Sequence, residues 1–266
     1  MSKAFDKMNH SSLFIKLMDR LVPNSLLEVL EHWFTICETC VKWGSSVSRF
    51  FVLRCGVRQG GVLSPHLFSV YIDDIVRKIA CSEASYNLHL VCLSIFMYAD
   101  DILILSPSVT FLQCLVSIVE KELTALDMAI NPNKSVCLRI GSRCDITCPN
   151  ITLLSGGVIP WSDSCRYLGV YIKSAKVFKC IFDESKKSLY RSFNAIYGKI
   201  GRCASLETVF HLMVSKCLPA FTYGLNACPV NATDRKSLDF ALFRIIAKFL
   251  AHSMTQLSAN AAKHLA

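Results

Sequence analysis

Apolar residues recur at helical spacing from Ser11 to Leu21 and the pattern stops before Pro23, which predicts a first helix. Asn24 reads as the cap of a second helix running to about Ile36. Cys40 to Trp43 and Val47 to Val57 read as a hairpin turning at Gly44-Ser45-Ser46. Arg58-Gln59-Gly60-Gly61 is a glycine loop. A helix follows, with Ser64 as cap and Pro65 at its first position. Its apolar face is Leu67, Phe68, Tyr71, Ile75 and Ile79, ending the helix near Ile79. Leu90 to Leu105 predicts two buried strands joined at Ala99-Asp100. A helix from about Thr110 to Met128 is followed by a turn at Asn131-Pro132-Asn133-Lys134. Ser135 to Ile140 and Arg166 to Lys173 each read as a single strand. From about Ala175 the pattern is helical, in three segments separated near Gly201 and across Pro219 to Pro229. The expected fold is therefore α+β, with a mixed domain over 1–173 and an all-helical region over 174–266.

Composition narrows the class. A hydrophobic content of 52% and a mean hydropathy of +0.39 support a sizeable core and exclude a disordered chain. No apolar run reaches the roughly 18–20 uncharged residues of a membrane span, so no membrane partner is expected. The longest candidate, Leu88 to Leu105, is broken by Asp100 and Asp101. The opening MSKAFDKMNH has no apolar stretch after its basic residue, so an intracellular location, nuclear or cytoplasmic, is expected. The 14 cysteines are scattered through apolar segments. The C-x-x-C at Cys37-Glu38-Thr39-Cys40 has no second pair at zinc spacing. Reduced thiols and no disulfide-linked partner are expected.

The formal charge of +9 is unevenly placed. Lys173, Lys176, Lys179, Lys186, Lys187, Arg191, Lys199 and Arg202 face only Asp183 and Glu184 over 173–202. Such a basic, helix-like stripe is either a surface for nucleic-acid phosphates or a solvated helix face. Lys173, Lys176, Lys186, Lys187 and Arg191 are its candidate backbone contacts.

The candidate chemistry lies in FMYADDILIL, Phe96 to Leu105, where two adjacent carboxylates interrupt an apolar run. A divalent cation with oxygen ligands would offset their desolvation, and Mg²⁺ favours one or two carboxylates plus substrate phosphates. A plain polar turn is the competing reading.

Context separates the two. Lys3-Ala4-Phe5-Asp6 stands at the N-terminus, and Gly56-Val57-Arg58-Gln59-Gly60-Gly61-Val62-Leu63-Ser64-Pro65-His66-Leu67-Phe68 precedes Tyr98-Ala99-Asp100-Asp101. Asn131-Pro132-Asn133-Lys134-Ser135 and Arg166-Tyr167-Leu168-Gly169-Val170 follow. In order and spacing these resemble motifs A to E of the reverse transcriptases of non-LTR, LINE-like retrotransposons of the jockey/CR1 type. Leu218-Pro219-Ala220-Phe221-Thr222-Tyr223-Gly224 resembles the start of their thumb. The resemblance implies a polymerase palm over 1–173, a partial thumb over 174–266, and RNA-directed DNA polymerase activity. The implied partners are an RNA template, a DNA primer and deoxynucleoside triphosphates.

Residue by residue, the resemblance makes Asp100 and Asp101 catalytic ligands of a two-Mg²⁺ site, the ions roughly 3.5–4 Å apart. Lys134 is implied as proton donor to the departing pyrophosphate. Phe5 would lie under the incoming sugar, and Arg58, Gln59, Gly60 and Tyr98 along nucleotide and template. One departure stands out. Motif A reads D-x-x-K-A-F-D, and counting back from Lys3 places its first Asp one position before Met1. The chain is thus expected to be N-terminally truncated, without the fingers and without the strand beside the Asp100 hairpin, and inactive alone. Two alternatives remain: a non-catalytic nucleic-acid-binding polymerase remnant, or another class such as a group II intron maturase. KAFD and SPHLFSVYIDDI favour the LINE pattern over the latter.

Overall fold

The computed structural model describes residues 4–89, 91–200 and 204–264. Lys3 of the KAFD stretch, the predicted break at Gly201, and Arg202 lie outside them. The chain forms two compact units, Met1–Val136 with Cys148–Pro160, and Cys137–Thr147 with Trp161–Ala266. Ser164 to Lys173, the end of the first expected domain, belongs to the second compact unit. Every ladder between strands is antiparallel, and the architecture is α+β.

In the first unit, the Asn9 side chain accepts a hydrogen bond from the Ser12 N–H at 3.0 Å and caps α1 (His10–Asp19). Leu13 and Leu17, four apart, are its buried residues. α2 (Asn24–Thr35) has Pro23 as cap, so Asn24 is the first helical residue and not the cap expected. Proline fixes the entry angle, and its carbonyl accepts from the Leu26 and Leu27 N–H groups. A ribbon follows: β1 (Glu38–Thr39), β2 (Lys42–Trp43), β3 (Ser46–Val47) and β4 (Phe51–Val52), with β1 paired to β4 and β2 to β3.

α3 (Ser64–Ala80) buries Leu67, Phe68, Tyr71, Ile75 and Ile79, the face its periodicity predicts, together with Ile72. Ser64 does not cap it. Its hydroxyl donates to the Arg58 carbonyl at 2.6 Å, tying the glycine loop to the helix start. β5 (Asn87–Leu88) pairs with β6 (Val91–Cys92), and β7 (Ile95–Tyr98) with β8 (Asp101–Ile104). α4 (Val109–Ala125) is capped by Ser108 and buries Leu115, Val119 and Leu123 against the α1 and α3 core. β9 (Ile151–Thr152) and β10 (Val158–Ile159) complete the unit.

Ser135 to Ile140, of which Cys137 onward belongs to the second unit, does not supply the strand expected. Cys137 bridges Trp161 and Ile140 bridges Ala175, so its partners come from different segments and no continuous ladder forms. The expected single strand from Arg166 is a hairpin instead, β11 (Ser164–Tyr167) and β12 (Val170–Lys173). Leu168 and Gly169 both take positive φ, +46° and +83°, which turns the chain in two residues. β13 (Lys179–Ile181) adds a third strand where helix was expected. α5 (Asp183–Ile200) opens with Asp183 and Glu184 at its positive dipole end. α6 (Leu206–Leu212) runs through a π-helical stretch, Met213–Cys217, into α7 (Leu218–Thr222), and α8 (Ala232–His264) follows. Leu189, Phe193, Val209, Cys217, Phe221 and Ile245 are central to this unit's own core.

Candidate active site

The β7–β8 hairpin pairs Ile95 with Ile104, Phe96 with Leu103, Met97 with Ile102 and Tyr98 with Asp101. Ile95, Met97, Ile102 and Ile104 join the first unit's core. The alternate residues Phe96 and Tyr98 are 43% and 65% exposed. Period two therefore splits the hairpin into an anchored side and a solvent side. Asp101, cross-strand from Tyr98, is exposed, and Asp100 is half-buried in the two-residue loop. The expectation of two buried strands is corrected: one face only is buried, and the carboxylates need no cation to offset deep burial. Ala99, first in the loop, has φ +52°, a left-handed conformation costing a non-glycine residue about 1–2 kcal/mol. Strain of this kind is retained where the surrounding ladder over-determines the turn.

The glycine loop is folded against the N-terminal segment. The Gly56 N–H donates to the Met8 carbonyl at 2.7 Å and the Val57 N–H to the Phe5 carbonyl at 2.9 Å. Gly56 has φ +82°, and a Cβ there would sit 2.9 Å from the Phe5 and Asp6 carbonyl oxygens, so only glycine permits the approach. His10 Nε2 donates to the Gly56 carbonyl at 2.7 Å. Phe5 stacks on Phe68 of α3 at 4.5 Å between ring centroids. The structure thus brings Phe5 and Asp6 together with the GVRQGG and SPHLF stretches. Gln59 and Gly60 are exposed on the loop. Arg58 turns toward the ribbon, donating to Cys37 Sγ at 3.1 Å and the Glu38 carbonyl at 2.9 Å. Lys134 is exposed on the Asn131 turn, its N–H donating to the Asn131 carbonyl.

Two carboxylates are a donor set that fits Mg²⁺ in company with phosphate oxygens and water. Among the described residues no group of three or more His, Cys, Asp or Glu side chains is placed to hold a metal. None of their helices is long and apolar enough to cross a membrane.

The basic stripe is not one helix. Lys173 and Lys179 are cross-strand neighbours on β12 and β13, Lys176 lies between them, and Lys186, Lys187 and Arg191 follow on α5. Lys186 pairs with Asp183 and Lys187 with Glu184, each at 2.7 Å, and Arg191 reaches Glu184 at 3.6 Å. Contact with Lys186 first, aided by its charge, holds Asp183 below the usual carboxylate range despite partial burial. Surface ion pairs of this kind contribute little to stability.

Two features escaped sequence reasoning. A cavity of about 580 Å³ in the second unit is lined by Arg166, Tyr171, Glu184, Arg191 and Tyr223 among others. Tyr223 donates to the Leu168 carbonyl at 3.1 Å, and a Cβ on Gly169 would meet its ring at 2.8 Å. The juxtaposed RYLGV and FTYG stretches were the available signal. In the first unit, Glu120 of α4 is 6% exposed and accepts from the Leu154 and Ser155 N–H groups at 2.5 and 3.0 Å. Burial pushes this carboxyl up, but the Ser155 side chain and the two N–H groups outweigh it and hold it below its ordinary value.

One or two carboxylates are the donor set with which kinases, ATPases and polymerases hold Mg²⁺ beside substrate phosphates. A family profile described as reverse transcriptase (RNA-dependent DNA polymerase) matches residues 1–172. The chain is 24% identical over 188 residues to a retrovirus-related Pol polyprotein from the type-2 retrotransposable element R2DM of Drosophila melanogaster, covering 67% of this chain and 18% of that protein. It is 24% identical over 192 residues to the RNA-directed DNA polymerase from mobile element jockey of Drosophila funebris, covering 66% and 19%. It is 25% identical over 243 residues to the probable RNA-directed DNA polymerase from transposon BS of Drosophila melanogaster, covering 87% and 26%. The chain spans about a fifth to a quarter of the length of these relatives. It belongs to the reverse transcriptase family.

Proposed function

We propose that the chain is part of the RNA-directed DNA polymerase of a non-LTR retrotransposon, with palm over 1–173 and a thumb-like helical region over 174–266. One observation carries the reading: Asp100 and Asp101 occupy the tip and solvent side of a hairpin whose other side is fixed in the core. In this reading the two carboxylates hold Mg²⁺ together with the triphosphate of a deoxynucleotide. Bound there, the two ions of the family's site would lower the charge on the phosphates and acidify the primer 3′-hydroxyl. Phe5, backed by Phe68, forms a wall that a 2′-hydroxyl would meet. Gln59 and Gly60 lie along template and nascent base pair, and Tyr98 borders the nucleotide. Arg58 contributes by shaping the loop it anchors. Lys134 delivers a proton to the pyrophosphate leaving group. Lys173, Lys176, Lys186, Lys187 and Arg191 hold the backbone of the RNA template and DNA primer. The relatives named above, all mobile or retrotransposable elements, support this over a group II intron maturase.

We propose that these 266 residues do not extend a primer on their own: among the described residues no third carboxylate stands with Asp100 and Asp101, and a two-metal site short of one ligand loses several orders of magnitude in rate. A second reading, nucleic-acid binding without chemistry, is favoured by the absence of a third carboxylate beside Asp100 and Asp101 among the described residues. Primer extension on an RNA template with Mg²⁺ and deoxynucleotides tests the inactivity. No product is expected, and template-dependent product abolished by Asp100→Asn would sink it. Binding of an RNA–DNA hybrid should weaken linearly on a log–log salt plot. Binding that ignores salt would overturn both readings.

A further inference from the structure

Every residue from Val41 to Val52 is exposed. The strand partners shift register along this ribbon, Thr39 opposite Phe51 but Lys42 opposite Val47, so one extra residue is bulged on the returning strand. A two-stranded ribbon exposed on both sides is marginal in water. This one nonetheless carries Trp43 at 85%, Phe50 at 68% and Phe51 at 48% exposure. Exposed aromatics at this density mark a binding surface. Its charge identifies the partner. No Asp or Glu occurs from Thr39 to Ile72, whereas Lys42, Arg49, Arg54 and Arg58 do. Lys42, Arg49 and Arg54 are exposed and form no ion pair among the described residues. Arg58 anchors the ribbon's base.

We propose that the Cys37–Leu53 ribbon is a base-stacking platform for single-stranded nucleic acid, with Trp43, Phe50 and Phe51 as stacking surfaces and Lys42, Arg49 and Arg54 steering the phosphates. Aromatic faces interleaved with cations accept any base, because every base has a π-face. A duplex leaves few bases free to stack, so the partner is a single strand. The proposal shares with the polymerase reading the premise of a nucleic-acid partner and uses none of that reading's backbone contacts.

Labelled 12-nucleotide oligouridylate and oligodeoxythymidylate, titrated across a salt series, test it. Trp43→Ala and the double variant Phe50→Ala, Phe51→Ala should each weaken binding about 5- to 100-fold with the salt slope unchanged. Trp43→Phe should restore most of the affinity, which excludes misfolding. Lys186→Ala with Lys187→Ala should instead flatten the slope. Unchanged affinity in both aromatic variants overturns the platform. If the lysine variants still weaken binding, the polymerase reading survives it. Self-association, or capture by phosphatidylserine vesicles, that Trp43→Ala abolishes while oligonucleotide affinity is unchanged would assign the ribbon to another partner and overturn the proposal. Wild-type protein that binds neither oligonucleotide overturns it too.

Discussion

The β7–β8 and β11–β12 hairpins share strand length, loop length and a left-handed first loop residue, and differ in chemistry. Each joins two four-residue strands through a two-residue loop whose first residue is a non-glycine at positive φ, Ala99 at +52° and Leu168 at +46°. They differ in what holds them. β7–β8 pairs with no other strand among the described residues and is fixed by its apolar side in the core. β11–β12 has β13 as a third strand, and its turn is locked against Tyr223. The first carries a half-buried and an exposed carboxylate at its tip; the second closes its tip around a tyrosine and presents Arg166 and Lys173. Under the proposed function, support on one side only is what lets the first loop receive a ligand, whereas the buttressed turn is a fixed spacer.

The contrast can be broken most forcefully at Gly169. Gly169→Ala requires φ +83° of an L residue and drives a methyl into the Tyr223 ring. It should destabilise the second unit by roughly 2–4 kcal/mol, read as lost amide-exchange protection in β11–β12. Equal protection in variant and wild type would make the lock ornamental.

Next comes Glu120, which pins the 154–155 segment beside the core that anchors β7–β8. Glu120→Gln should cost about 1–3 kcal/mol, because an amide N–H₂ then faces a backbone donor. The pH dependence follows from the depressed folded pKa. The contribution is complete above the ordinary glutamate value of 4.5 and is lost as pH falls through the lower folded value. An acid-unfolding difference between wild type and Glu120→Gln should therefore shrink below pH 4.5; a difference that widens contradicts it.

Tyr223→Phe removes one hydrogen bond and keeps the ring, so it should cost about 1 kcal/mol, visible as faster exchange near Leu168. Smallest is Ala99→Gly, which relieves left-handed strain and should stabilise the first unit by about 0.5–1 kcal/mol in urea unfolding. Destabilisation there would mean that the β7–β8 turn is packed as tightly as its counterpart.

Much of this was legible in the chain. The buried face of α3 follows its spacing, and the loop at Ala99-Asp100 falls where the apolar run breaks. The misreadings have local causes. Ser64 and Asn24 look like caps, but one hydroxyl serves the glycine loop and Pro23 takes the other position. Leu168-Gly169 reads as strand interior because leucine seldom marks a turn. The hairpin's solvent side reads as buried because Phe96 and Tyr98 are aromatic, yet both face outward. The pairs of Asp183 with Lys186 and Glu184 with Lys187 stood at helical spacing and could have been read. Glu120 could not: its partners lie 34 and 35 residues away, and only a lone acid on an apolar helix face hinted at them.

Paramagnetic Mn²⁺, substituted for Mg²⁺ with a deoxynucleoside triphosphate present, tests the central claim most directly through broadening of backbone amide resonances. The account predicts broadening centred on Tyr98 to Asp101, dependent on the nucleotide and lost in Asp100→Asn with Asp101→Asn. Broadening that persists in that double variant, or that centres elsewhere at saturating Mn²⁺ and nucleotide, would contradict it.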